Sequence, residues 1–397
     1  MKRLNIIMLA AMLLMAVLPS CGDGDSKSEP QNKEPEVIPL EEDNNNSQNP
    51  NNPSNSDTPT PTPHTDLDFA YGGDPSWITA MEKQGKKFYS ASGEETECFA
   101  LLSSLGMNAA RFRVFVKPSA SEGGVWGLCD IDDVVAKSIR AQKSGMKIMI
   151  DFHYSDTWAD PSNQKKPAAW DNAATVADLG DSAAAFTKKT LEALKAANID
   201  INWVQIGNET RGGMMQVSSK GKEASVNGKM GDNYVIIHNK CAAVAREIFP
   251  QTKIVTHFEN GQNALWKEHD AVLKKLDFDI LGLSLYPEYT KQGEYWVPDA
   301  NGIAEKHYKN CATYMNSFAS TYGKETMLCE IGVTEIDTET NGSSLKAAFD
   351  YIKANVKSCK GIFYWEPECF NDFNHYGMGG FTNKGQPAQA LIDTYKH

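Results

Sequence analysis

The sequence has no basic run, no cysteine pair at zinc-ligand spacing, no glycine-rich phosphate loop and no apolar stretch long enough for a comfortable membrane span. Each absence removes or weakens a class of function. With 39 Lys and Arg against 51 Asp and Glu, the formal net charge is −12. A phosphate backbone would be repelled, so nucleic acid is excluded as a partner. The pairs Lys165-Lys166 and Lys274-Lys275 read as solvated surface. Apart from Cys21 there are seven cysteines, an odd number, several of them inside apolar runs where a thiol behaves as a small hydrophobe. One disulfide is compatible with an exported chain, but the sequence does not name its partners. What the 397 residues do have is 41% hydrophobic and 10% aromatic content, enough to bury a large core.

The first 66 residues read as address and tether. Lys2 and Arg3 precede an apolar run over 4–18, placed where a secretory signal belongs. The Leu18-Pro19-Ser20-Cys21 that follows resembles a bacterial lipobox, which implies a signal peptide over 1–20 and lipidation of Cys21. The other reading is an ordinary cleaved signal with an incidental cysteine. Asp23 and Asp25 resemble the acidic tract that directs Bacteroidetes lipoproteins to the cell surface. Residues 21–66 are rich in Asn, Pro, Thr, Ser and Glu and lack the apolar surface needed to offset ordering entropy. Extended at ~3.1 Å per residue where proline-rich, such a linker could hold a domain on the order of 100 Å from a membrane. The expectation is a monomer, lipid-anchored in the outer membrane and surface-exposed, facing a polymer.

From 67 to 397 the pattern is a regular alternation. β-rich runs occur near 69–72, 109–116, 147–154, 202–208, 253–258, 280–286, 326–330 and 361–365. Between them lie helical patterns such as 131–143 and 182–197, with apolar residues at three- and four-residue intervals. The pattern predicts a single catalytic domain of α/β class, a (β/α)₈ TIM barrel. A doubly wound open sheet is the alternative, and the missing phosphate loop weighs against it.

In such a barrel, chemistry sits at the carboxyl ends of the strands. Arg111 and Arg113 stand two apart and so face one way, which demands carboxylate partners. They are read either as a structural ion pair or as groups that tune an acid. The third run ends in Asp151-Phe152-His153-Tyr154 and continues through Asp156 and Trp158, with Trp170 shortly after. Rings at Tyr154, Trp158 and Trp170 beside acids and amides suit a sugar site, where pyranose faces stack and hydroxyls need paired donors and acceptors. Asn208-Glu209 ends the fourth run, fitting either a general acid/base beside a hydroxyl-gripping amide or a helix N-cap. Glu330 ends the seventh run, three β/α units later. Two carboxyls facing each other across a barrel are what glycoside hydrolysis requires, ~5 Å apart when configuration is retained.

An Asn-Glu pair ending strand four and a Glu ending strand seven resemble the clan A glycoside hydrolases. Within that clan the chain resembles family 53, the endo-β-1,4-galactanases. The residues that carry this are Gly72-Gly73-Asp74, Arg111 through Pro118, Asp151 through Pro161, Pro167-Ala168-Ala169-Trp170, Ile206-Gly207-Asn208-Glu209, Ser284-Leu285-Tyr286-Pro287 and Tyr364-Trp365-Glu366-Pro367. The resemblance implies an endo-acting, retaining enzyme that cleaves β-1,4-galactan in pectin side chains, with Glu209 as acid/base and Glu330 as nucleophile. It implies further that Asn208 holds the 2-hydroxyl, Tyr286 donates to the nucleophile and Trp365 floors the attacked sugar. Arg111 or Arg113 and His153 would support the two acids, and Asp156, Trp158 and Trp170 would meet substrate.

The chain also departs from the family pattern. Relatives often carry a calcium loop after the nucleophile strand. Here 331–344 is short, with Asp337, Glu339 and Asn341 as a weak oxygen set, so no metal and no cofactor are expected. Glu368-Cys369-Phe370 stands where a second Trp is common, and Tyr289, Tyr295 and Trp296 could replace that surface. Alternative functions are a mannan- or xylan-cleaving clan A enzyme, or a surface glycan-binding lipoprotein without catalysis.

Overall fold

A computed structural model describes residues 64–397, apart from 264, 293–294, 299–301 and 335–338. The signal, Cys21 and the linker therefore lie outside the described residues. So do the expectations for the Asp337, Glu339 and Asn341 oxygens and for the Tyr295 and Trp296 rings.

Parallel strands β1 (Ala70–Asp74), β2 (Ala109–Val114), β3 (Lys147–Phe152), β4 (Ile201–Ile206), β5 (Lys253–Phe258), β6 (Ile280–Leu285), β7 (Glu325–Ile331) and β8 (Cys359–Trp365) close into one barrel, with β8 paired to β1. Helices α1 (Ile78–Lys83), α2 (Cys98–Ser104), α3 (Ile131–Lys143), α4 (Val176–Ala196), α5 (Asp232–Ile248), α6 (Asp270–Leu273), α7 (Ala304–Tyr322), α8 (Glu339–Asn355) and α9 (Gln389–Tyr395) separate or follow the strands. Both faces of each strand are covered, which is why the sequence shows near-continuous apolar runs. The strands fall where the pattern predicted, shifted by a few residues at their ends. Helix α4 begins earlier than the apolar spacing suggested, because Thr175 and Asp178 form a reciprocal capping box ahead of its buried stripe.

Alternation along each strand sorts the barrel interior into two layers. Ala70, Ala109, Met149, Trp203, Val255, Ile280, Met327 and Phe363 form an apolar plug, with Leu67 packed against it. Two residues further along the strands come Arg111, Asp151, Gln205 and His257, all buried. Gly282 stands at this level on β6, and a Cβ there would meet Cys329 Sγ at 2.5 Å and Val255 Cγ1 at 2.9 Å.

Strand β7 breaks the alternation. Met327 and Cys329 both face the plug while Leu328 packs outward, so an unbroken strand would point Glu330 away from the interior. Pairing with β6 slips between Leu328 and Glu330, placing Glu330 opposite Ser284. This bulge turns the carboxylate inward.

The seven described cysteines are all buried and free. No disulfide forms among them, and each sits in the apolar packing that the sequence suggested for several.

Candidate active site

The polar layer is organised by Arg111, which is 1% exposed. Its Nη1 donates to Asp74 Oδ2 at 2.6 Å and lies 3.1 Å from Glu330 Oε1. Its Nη2 donates to Asp151 Oδ2 at 2.9 Å and Asn208 Oδ1 at 2.8 Å, and its Nε donates to Gln205 Oε1 at 3.0 Å. Burial opposes this charge, but Asp151, Glu330 and Asp74 outweigh it and hold the guanidinium pKa well above its ordinary value. Arg111 thus ties the ends of β1, β2, β3, β4 and β7 into one network.

Arg113 faces the same way but does different work. It pairs with Glu366 and lies 3.7 Å from Asp74, and its guanidinium lies 4.4 Å from the Trp158 ring and 5.5 Å from the Trp77 ring. Glu366 also accepts from the Trp77 backbone N–H at 2.9 Å. Of the two arginines offered by the sequence, Arg111 supports the nucleophile position and Arg113 supports the aromatic wall.

Glu330 is held by Arg111 and by the Tyr286 hydroxyl, which donates at 2.9 Å, with Ser284 Oγ at 3.4 Å. Glu209 sits beyond β4 at φ 50, a left-handed backbone that a non-glycine residue adopts only where its surroundings enforce it. The preceding Gly207, at φ 82, makes the turn possible, because a Cβ there would strike Thr210 Cγ2 at 2.5 Å. Glu209 precedes the 3₁₀ turn Thr210–Gly212, yet its side chain makes no capping bond, so the helix-cap alternative fails and the carboxyl is left for other use.

The two carboxyls are unequal. Burial, the Glu330 charge and the Glu259 charge raise the Glu209 pKa well above the ordinary carboxyl value, with Ser284 opposing and Asp160 adding. Burial also raises Glu330, but Arg111 and the Tyr286 hydrogen bond act against it, while Asp151 and Asp74 add to it. Between them they behave as a coupled pair whose first proton resides on Glu209.

Asn208 is fixed by Arg111 on its Oδ1 and donates from Nδ2 to Ala159 O at 2.9 Å. His257, which the sequence reading did not single out, lies 2.9 Å from Asn208 Oδ1 through Nδ1 and 3.0 Å from Ser284 Oγ through Nε2. Burial and the Arg111 charge hold its pKa well below the ordinary value, so the ring is neutral. The signal was the inward period of Val255, His257 and Glu259. His153 Nδ1 accepts from the Ala159 N–H at 2.9 Å, which leaves Nε2 to donate to Asp151 at 3.0 Å. It braces the network from the side.

The aromatic predictions divide. Trp365 and Trp158 stand 6.2 Å apart edge to face, and Tyr286 meets Trp365 at 6.4 Å. Trp77 and Tyr376 complete this cluster, at 5.9 and 5.0 Å from Trp365. Neither was foreseen as a site residue. Tyr154 leaves the group: at φ 48 its ring turns onto Phe152 and its hydroxyl bonds Thr187, burying it among the helices. Trp170 packs against Phe186 of α4, outside the cluster around Trp365. Asp156 accepts from the Ala168 N–H at 2.8 Å and so holds the turn that carries Trp170. Glu368, Cys369 and Phe370 are buried, so they offer no replacement stacking surface, and Tyr289 is buried as well.

Glycosyl hydrolase family 53 matches residues 70–394. The chain belongs to that family. An endo-beta-1,4-galactanase of Bacillus subtilis is 28% identical over 330 residues, covering 76% of this chain and 70% of the relative. A probable arabinogalactan endo-beta-1,4-galactanase A of Aspergillus fumigatus is 30% identical over 327 residues, covering 75% and 83%. Among solved structures, a fungal beta-1,4-galactanase aligns with TM-score 0.68 at 24% identity over 82% of this chain and 98% of its own. The family 53 catalytic domain of Ignisphaera aggregans aligns at 0.69 and 22%, over 85% and 98%. These two likenesses establish the (β/α)₈ fold.

One group of described residues has metal-like spacing, namely Glu366, Glu368 and Cys369. Arg113 already neutralises Glu366 there.

Proposed function

We propose that this protein is an endo-β-1,4-galactanase that retains configuration, with Glu209 as acid/base and Glu330 as nucleophile. The observation that carries the reading is the asymmetry of the pair. Burial raises both pKa values, but a guanidinium and a phenol oppose the rise at Glu330, whereas neighbouring negative charge adds to it at Glu209. A double displacement needs one acid to protonate the departing oxygen and one carboxylate to attack the anomeric carbon. Glu330 attacks, Glu209 gives its proton, and the same Glu209 then takes a proton from water as the glycosyl-enzyme bond is hydrolysed. Asn208, locked by Arg111 and His257, presents an amide to the 2-hydroxyl of the sugar. Trp365 and Trp158 supply rings on which pyranose faces stack, with buried Trp77 packed behind them, and β-1,4-galactan of pectin is the substrate that the relatives' names suggest.

The finer placement is also a proposal: a lipoprotein anchored through Cys21 in the outer membrane, surface-exposed and monomeric. The apolar run over 4–18 followed by Leu18-Pro19-Ser20-Cys21 supports the anchor. His64 bonds Asp200 at 2.9 Å, and the Thr65 carbonyl accepts from Asn202 at 3.0 Å, both at the amino end of β4. The described chain thus begins against the amino end of β4, the opposite end of that strand from Asn208 and Glu209.

The test is a reducing-sugar assay on β-1,4-galactan, mannan and xylan, repeated with Glu330→Ala. Release from galactan alone, abolished by the substitution while galactan binding persists, is expected. Activity within tenfold of the parent would remove Glu330 from the nucleophile role. Cleavage of mannan or xylan instead would overturn the substrate.

A further inference from the structure

Glu259 lies just past the end of β5 and is 4% exposed. It continues the inward face set by Val255 and His257, one step nearer the mouth of the barrel. One of its oxygens accepts from Arg211 Nε at 2.5 Å, and the other is buried with no hydrogen-bond partner. Arg211 belongs to the same 3₁₀ turn that Glu209 precedes, two residues from the carboxyl that must deliver a proton. A cation so placed would favour the ionised form of that acid and spoil it as a proton donor.

We propose that Glu259 is a positioning residue for the acid/base: by binding Arg211 it keeps that cation from Glu209, and it lays a further negative charge beside the group that carries the proton. This rests on the acid/base role proposed for Glu209. The other groups around Glu209 explain why such a device is needed. Glu330 on β7, backed by Arg111, presents the strongest competing charge, and it becomes neutral when the glycosyl-enzyme bond forms. Ser284 on β6 favours the ionised acid, whereas Asp160 beyond β3 opposes it. His257 on β5 is kept toward its neutral form by burial and the Arg111 charge. Tyr286 is committed to Glu330, and His269, near Arg211, is kept toward its neutral form by burial and that cation. Burial raises the pKa of Glu259 itself and the Arg211 pair opposes that rise, so the pair favours Glu259 as a negative neighbour of Glu209 that takes no part in the covalent step.

The test is the pH dependence of kcat/KM on β-1,4-galactan for the full chain carrying Glu259→Gln. Loss of the charge and release of Arg211 both favour ionised Glu209, so the alkaline limb moves to lower pH by on the order of one unit. Removing the freed cation as well, in Glu259→Gln with Arg211→Gln, moves the limb back toward the parent, and Glu259→Asp keeps it near the parent. An unmoved limb, or a loss of equal factor at every pH, overturns the proposal in favour of a merely structural ion pair. A substrate-free measurement keeps this separate from the activity itself. The pH dependence of Tm is compared for the parent, Glu259→Gln, Glu209→Gln and the double variant. The proposal requires a shift of the Glu209 titration window that appears only when Glu209 is present. If galactan is not cleaved but that shift is seen, the functional reading fails and the positioning role stands; if the window does not move, the positioning role fails.

Discussion

The Tyr286 hydroxyl offers the cleanest single-atom test of how the nucleophile is kept ionised. In Tyr286→Phe the ring stays, edge-on to Trp365 at 6.4 Å, and only the 2.9 Å hydrogen bond to Glu330 is lost. A hydrogen bond to a charged group is worth about 1.5–3 kcal/mol. Because the phenol donates to the ionised form, its loss raises the Glu330 pKa, by about 1–2 units if the whole bond is expressed in ionisation. Glu330 must be ionised to attack, so the acidic limb of kcat/KM moves to higher pH by that amount. Arg111 remains 3.1 Å away and still favours the carboxylate form, so the enzyme is slowed rather than silenced. At the optimum the loss is about 10- to 100-fold. The assay is initial-rate release of reducing ends from galactan across the pH range, with unfolding curves to show that the fold is intact. An acidic limb that stays in place with less than threefold loss would refute the view that this hydroxyl holds the nucleophile in its charged state.

Glu209→Gln should abolish turnover and yet stabilise the fold at neutral pH. The raised Glu209 pKa means that the folded protein binds a proton the unfolded chain has released, so stability falls as pH rises from the ordinary carboxyl value through the raised one. The amide removes that dependence, and Tm at pH 7 should rise by about 1–4 °C, read by calorimetry. The same sign applies to Glu368, fully buried beside Glu366, whose pKa is pushed well above the ordinary value by burial and by the Glu366 charge. Glu368→Gln should raise Tm more at pH 8 than at pH 5, and a fall at both would show that the carboxyl has a structural partner. Trp158→Ala removes one face of the aromatic wall and the ring under Arg113, so KM for galactan should rise more than kcat falls, measured by steady-state kinetics on long and short galacto-oligosaccharides.

Much of this architecture is local in origin and could be read along the chain. Short β-rich apolar runs, separated by helical patterns, gave the strands to within a few residues, because a strand covered on both faces must be apolar for its whole length. Polar residues ending those runs marked the mouth of the barrel, and Asn208, Glu209, Tyr286, Trp158 and Trp365 were legible there as residue types that suit sugar chemistry. Other roles depended on partners far away in sequence. Arg111 and Arg113 are equivalent in pattern and share Asp74, but one reaches Glu330 and the other Glu366, since each sits at a different depth in the barrel. Trp77 joins Trp365 through strand closure, its backbone N–H bonded to Glu366 across the β1–β8 seam. Tyr154 looked like a stacking surface until the turn after β3 swung it onto Thr187.

The two acids show most directly where sequence ends and tertiary structure begins. Position at a strand end and residue type were determined by the sequence alone, and they singled out Glu209 and Glu330. By simple alternation, however, Glu330 would face outward, and only the slip in register against β6 brings it in. Glu209 reaches the site through a left-handed turn that no propensity for glutamate would predict. The difference between the pair is likewise tertiary. Which carboxyl keeps its proton depends on the distances to Arg111, Tyr286 and Glu259, and electrostatic energies follow those distances rather than the spacing of residues along the chain.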